Sequence, residues 1–212
     1  MTVPARREAA RLLLSLDPPA WSLRHACAVA DVAAFLARGI AIRGTRIDVK
    51  AVEAAALLHD VDKIPAGHVP GVRHGDGSAA WLEAHAMAEL APLVRDHPVT
   101  RLADEADFAR LGAAPLEAKV VAYADKRAGQ ALESMEDRFG SWRRRYPSGP
   151  GEPVLGRHDR PPSGHGWADE VAARVEARAQ ALELEVCGAA GVDPAAVRRL
   201  RWSRRALREA AR

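Results

Sequence analysis

Residues 55–64 read AALLHDVDKI. A run of alanine and leucine leads directly into an imidazole and a carboxylate, His59 and Asp60, with Lys63 three positions later. The apolar run begins upstream, in AVEAAALL at 51–58, and reads as a helix buried on most sides. Polar groups of this kind are costly to bury unless they are hydrogen-bonded, charge-paired or bound to a metal. The His59–Asp60 pair therefore either has a structural partner or binds something.

The rest of the chain has the same helical character. Alanine, leucine, arginine and glutamate dominate, and aromatic residues make up only 5% of the 212 residues, a balance that favours helices over strands. The periodicity predicts helices over 3–15, over 22–37 ending at Gly39, and up to Asp60 with Asp48 as N-cap. Further helices are expected over 78–90, over 101–111, and from Pro115 through LEAKVVAYADKRAGQALESMEDRF in one long piece. Residues 168–187 read as another helix, and Asp193-Pro194 opens a last basic one. No strand pattern is convincing, so the expected fold class is all-α. The expected organisation is a helical bundle over 1–145, a Pro/Gly-rich loop or lid over 146–167, and C-terminal helices over 168–212 packed on the bundle.

Composition narrows the function classes. With 48% apolar residues the chain is not of the disordered class. The two cysteines, Cys27 and Cys187, form no CxxC and indicate neither a zinc ribbon nor a disulfide framework. No unbroken run of about 18 apolar residues occurs, and the N-terminal stretch lacks a signal-peptide pattern. The expectation is a cytoplasmic protein without a membrane partner. The net charge of +3 is concentrated in WRRRY at 142–146 and in the arginine-rich tail, which reads as a solvated terminal helix. Nucleic acid is therefore not the expected partner, and a homodimer is compatible with the sequence.

The residues able to ligate a metal, in helical or turn-adjacent contexts, are His25, His59, Asp60, His74, His97 and Asp125. Each taken alone is more simply a hydrogen-bonded structural residue. As an ordered series, H…HD…H…H…D, they resemble the HD-domain superfamily of metal-dependent phosphohydrolases. ALLHDVDK is similar to that family's LLHDxxK signature, HGDGSAAWL at 74–82 to its HxxxGAxxL segment, and VVAYADKR at 120–127 to the segment that supplies its last aspartate. LESMEDRF at 132–139 is similar to a stretch of HDIG-type bacterial members, and the ligand order is that of bacterial HD-type diadenosine-tetraphosphate hydrolases. The isoleucine and glycine of a strict HDIG are absent.

The resemblance implies an all-helical bundle with a dinuclear centre. His25, His59, Asp60 and Asp125 would hold one divalent transition metal. Asp60, His74 and His97 would hold a second, with Asp60 bridging. Iron, manganese or a mixed pair is expected, with cobalt, nickel and zinc as alternatives. His68 competes with His74, which is preferred because Gly77 and the following helix match the family segment. Asp60 and Lys63 would be catalytic, with Lys63 contacting either a phosphate oxygen or Asp60. Lys126, Arg127 and Arg73 are further candidates for substrate phosphate. Asp62 could orient a ligand histidine, although a surface acid is the simpler reading. The implied reaction is cleavage of a phosphoester or phosphoanhydride by a metal-activated hydroxide, with a nucleotide or dinucleotide polyphosphate as the small phosphorylated substrate. A non-catalytic HD sensor of nucleotide or metal, and a dinuclear-iron oxygenase on the same scaffold, are the alternatives.

Overall fold

A computed structural model describes residues 3–129, 132–145 and 167–200. Among these residues there are helices and no strand, only an isolated bridge between Ala128 and Leu132. The fold is all-α.

The centre of the molecule is a pair of apolar helices, α2 (Ala20–Ile42) and α3 (Val49–Leu58). Both are rich in alanine, so their backbones can approach closely, and most of their side chains are fully buried. Asp48 caps α3 as its sequence predicts, its carboxylate accepting a hydrogen bond from the Ala51 amide at 2.9 Å. Helix α1 (Arg6–Ser15) lies against α3. On the other side of the pair, α7 (Leu116–Arg127) packs against α2 and α3, and α9 (Asp169–Ala190) packs across α2 and α7. Between α3 and α7 the chain forms short elements: α4 (Asp76–Ala84), α5 (Ala91–Val94) and α6 (Glu105–Ala113), linked by 3-10 turns. Helix α8 (Met135–Arg145) follows α7, and α10 (Pro194–Val197) is a single turn capped by Asp193.

Several helix ends differ by a few residues from those expected. The helix expected over 101–111 lies at Glu105–Ala113, and the last one is a single turn among the described residues. Three differences have a clear physical cause. Helix α2 does not stop at Gly39 but continues to Ile42. Gly39 lies where α9 crosses, and a Cβ there would sit 3.0 Å from the Ala190 carbonyl oxygen. The residue is thus a point of close helix approach, at a propensity cost of only about 1 kcal/mol. Gly39→Val is expected to destabilise the protein by about 2 kcal/mol in urea unfolding, because the added methyls have no room between α2 and α9. Second, the helix expected over 78–90 ends at Ala84, because Ala86 takes a positive φ of 58° and turns the chain. Third, the long helix expected from Pro115 is two helices. The Glu133 amide donates back to the Arg127 carbonyl at 2.8 Å and closes a turn between α7 and α8.

Helix α2 is long and apolar enough to cross a membrane, yet most of that window is buried inside the bundle. Both cysteines are buried, and neither is in a disulfide. Trp142 packs edge-on against Phe139, and Trp167 is buried in the core. The loop or lid expected over 146–167 lies, except for Trp167, outside the described residues. So do Trp202 and the tail from 201 onward.

Candidate metal centre

Each candidate ligand is placed by a different part of the bundle. His25 is in the first turns of α2, where its side chain faces α3 and α7 rather than solvent. His59 and Asp60 follow the last turn of α3. Here the helix gives way to a 3-10 turn over Val61–Lys63, so the two consecutive side chains point into the same space. His97 sits after α5, and Asp125 is near the end of α7. His74 is on the loop just before α4. All are buried except His74, whose side chain is 31% exposed.

The four imidazoles converge through one type of nitrogen. The Nε2 atoms of His25 and His59 are 3.1 Å apart, and those of His74 and His97 are also 3.1 Å apart. Asp60 lies between the pairs. Its Oδ1 is 3.2 Å from His97 Nε2, 3.3 Å from His74 Nε2 and 3.5 Å from His59 Nε2, and its Oδ2 is 3.4 Å from His25 Nε2. Asp125 Oδ1 stands on the first side only, 3.1 Å from His25 Nε2 and 3.6 Å from His59 Nε2.

The opposite edge of each ring explains this orientation. His59 Nδ1 donates to the Ala56 carbonyl at 2.8 Å, and His97 Nδ1 to the Val94 carbonyl at 2.5 Å. His25 Nδ1 faces the Gly129 carbonyl at 3.4 Å, and His74 Nδ1 lies 3.0 Å from both oxygens of Asp62. Carbonyls and carboxylates only accept, so every Nδ1 carries the proton and every neutral ring turns its Nε2 lone pair inward. Two lone pairs facing each other at 3.1 Å repel unless a cation or a proton lies between them.

The ionisation pattern points the same way. Burial opposes the charge on Asp60, but Lys63 and the neighbouring histidines outweigh it and hold the carboxyl well below the usual range. Asp125, likewise buried, is held low by His25 and His59. Burial would lower His59, yet Asp60 and Asp125 draw a proton to it and raise it. Burial, reinforced by the charges of His74 and His59 and opposed by Asp60 and Asp125, takes His97 down to about 4, so that ring is neutral with its lone pair available. The pocket thus holds two ionised carboxylates and favours positive charge. Three ligand groupings, His25–His59–Asp125, His59–Asp60–His97 and Asp60–Asp62–His74, each offer atoms within 4.8 Å of one another. Nitrogen and carboxylate donors without sulfur suit first-row divalent metals.

Other expected residues fall differently. Lys63 Nζ lies 2.9 Å from Asp60 Oδ1 and keeps a quarter of its side chain in solvent, so of its two expected contacts the structure shows the one to the aspartate. His68 does not enter the cluster; its Nδ1 meets the backbone carbonyl of Asp62 at 3.2 Å. Asp62 is not a surface acid. It is buried and accepts from His74 Nδ1 and from the Gly75 amide at 2.9 Å. Burial would raise its carboxyl, but the bonds and charge of His74 take it down to about 2.

Two expectations for the substrate phosphate need correcting. Lys126 is wholly buried and spends its amine on the carbonyls of His97 and Ala122, at 2.8 and 3.0 Å. Arg127 faces away from the cluster, into α9 and the α7–α8 turn, where it binds Glu183, Tyr123 and the carbonyls of Glu133 and Pro194. Neither cation is available to a substrate. Arg73 remains open, its side chain 65% exposed beside His74 while it also pairs with Asp76 and Asp107.

No curated relative and no solved structure matches the sequence. The family model of the HD domain does match, over residues 22–129, about half of the chain and the whole span from α2 to the end of α7 that carries all six converging side chains. The chain belongs to the HD-domain family, a superfamily of metal-dependent phosphohydrolases.

Proposed function

We propose that this protein is a phosphohydrolase with two divalent transition metals, cleaving a phosphoester or phosphoanhydride bond in a nucleotide or dinucleotide polyphosphate. One observation carries the reading: two pairs of inward-facing Nε2 atoms with a single carboxylate, Asp60, between them. His25, His59 and Asp125 would hold one ion, His74 and His97 the other, and Asp60 would contact both. When bound, such ions lower the pKa of a water and neutralise charge on phosphoryl oxygens.

The chain's own contribution is preorganisation. Each imidazole is already locked by its Nδ1 bond, so little reorganisation is needed at the moment of reaction. Two divalent ions against the carboxylates of Asp60 and Asp125 leave the pocket net positive, which favours an anionic substrate. Asp60 and Asp125 raise Lys63 against the effect of its burial, so its ammonium stays charged. Half-buried beside Asp60, it can offer that charge to a phosphate oxygen, and the exposed Arg73 can do so beside His74. The preference for a nucleotide polyphosphate rests on the ligand order shared with HD-type dinucleotide hydrolases.

The test is metal analysis followed by a hydrolysis screen. Protein loaded with iron, manganese or cobalt is expected to hold about two ions per chain and to release phosphate or nucleotide from part of a panel of nucleoside mono-, di- and polyphosphates and dinucleoside polyphosphates. Two bound metals with no cleavage across the panel would overturn the hydrolase reading. Oxygen consumption by the di-iron form would redirect it to oxidation.

A further inference from the structure

His74 differs from the other converging histidines in how it is mounted. It sits on a loop, and it alone is substantially exposed. Apolar packing therefore does not fix its position. Two buried charged side chains reach it from opposite sides. On one side the Asp62 carboxylate accepts from the ring Nδ1 at 3.0 Å and from the Gly75 amide at 2.9 Å. On the other, Arg101, 2% exposed on the 3-10 turn after His97, donates to the His74 carbonyl at 2.9 Å and to Asp76 at 2.7 Å. Arg101 is itself held by Asp107 at 3.2 Å.

The sequence HGDGS at 74–78 is shaped around this arrangement. Gly75 has a φ of 88°, and a Cβ on it would lie 2.3 Å from the Arg95 carbonyl oxygen. A Cβ on Gly77 would lie 2.9 Å from both Cβ and Oδ2 of Asp62. The Ser78 hydroxyl accepts from the Asp62 amide at 3.3 Å. Small residues make room for the carboxylate, and the guanidinium closes the loop from behind.

We propose that Asp62 and Arg101 are positioning residues that clamp the His74 loop and thereby build the second metal position independently of the first. The inference rests on the dinuclear reading above. Neither residue bonds His25, His59 or Asp125 through its side chain in the described contacts, so loosening the clamp removes one half of the centre. Loss of an outer partner of a ligand histidine typically weakens metal binding about 10–100-fold.

The experiment titrates Mn2+ into metal-free wild type, His74→Ala, Asp62→Ala, Asp62→Asn, Arg101→Met and Arg101→Lys, followed by calorimetry and metal analysis, with thermal melts of each metal-free variant. The expected result is two ions in wild type. In His74→Ala, Asp62→Ala and Arg101→Met, one site is expected to be retained at wild-type affinity and the other weakened at least about 10-fold. Asp62→Asn, which keeps an oxygen for the His74 ring proton, recovers most of the second site. Arg101→Lys, which keeps the charge but cannot fork between the His74 carbonyl and Asp76, recovers part of it. A single ion in wild type would sink the dinuclear reading itself. Two ions in wild type, one in His74→Ala, and undiminished second-site affinity in both Asp62→Ala and Arg101→Met would leave that reading standing and overturn the clamp. Equal loss of both ions in the conservative variants would also overturn it, since the two residues would then support the bundle and not one half of the centre.

Discussion

Asp60→Ala is expected to remove both metals and to lower phosphohydrolase activity by about 10³-fold or more, the equivalent of several kcal/mol of transition-state stabilisation. Far-UV circular dichroism of the variant should keep its helical amplitude. The reason is position. Among the described residues Asp60 is the only carboxylate within 3.5 Å of Nε2 atoms from both histidine pairs, whereas Asp125 approaches only the first pair. Without Asp60 each half of the centre loses an anionic donor, and no remaining carboxylate among the described residues approaches the Nε2 atoms of both histidine pairs: Asp125 faces only the first pair, and Asp62 meets the far edge of His74. Fold loss is not expected, because Asp60 lies after the end of α3 and its partner Lys63, a quarter exposed, can turn its ammonium toward water. The matching variant Asp125→Ala is expected to keep one ion, on the His74–His97 side. Metal analysis of the two variants side by side separates the roles, and an Asp60→Ala protein with two metals and full activity would refute the whole arrangement.

The parts of this protein that were legible in the sequence are those with a local signature. The apolar density of α2 and α3, Asp48 before α3 and Asp193-Pro194 before α10 all follow from propensity and capping chemistry acting over a few residues. The metal-capable residues stood out because burying them among alanine and leucine has no cheap explanation, and their order along the chain carried the resemblance. What was not legible depends on contacts between distant segments. Nothing near Gly39 says that α9 crosses there, so a glycine that reads as a stop is in fact a helix contact. Ala86 turns the chain without glycine or proline. Asp62 looked like a surface acid because the atoms that engage it, the His74 ring and the Gly75 amide, come from beyond a turn-rich loop. Arg101 gave no signal at all. Lys126 and Arg127 show the limit most sharply. They stand directly after Asp125, yet on a helix successive residues point about 100° apart, so neighbours of a ligand in sequence face different surroundings.

That divergence makes Arg127 a test of structure against sequence order. Arg127→Met is expected to destabilise the protein by about 3–5 kcal/mol, because breaking a buried ion pair strands the partner. The guanidinium is 2% exposed. It pairs with Glu183 of α9 at 2.8 Å, donates to the Tyr123 hydroxyl at 2.5 Å, and satisfies the carbonyls of Glu133 and Pro194. These bonds join α7, the α7–α8 turn, α9 and the start of α10 at one point, and methionine replaces none of them. At roughly 2–4 °C per kcal/mol for a chain of this size, the melting temperature should fall by about 10 °C or more. Arg127→Lys should fall in between, since an ammonium restores the charge but cannot span four acceptors from one planar group. Kinetics supply the second arm. A phosphate-binding arginine beside Asp125 would raise KM when removed, as the sequence alone suggests. Because the side chain instead points into α9, the folded fraction of either variant is expected to keep KM within about twofold of wild type, as for a residue making no contact with substrate. A large rise in KM without loss of stability would show that Arg127 reaches the substrate after all.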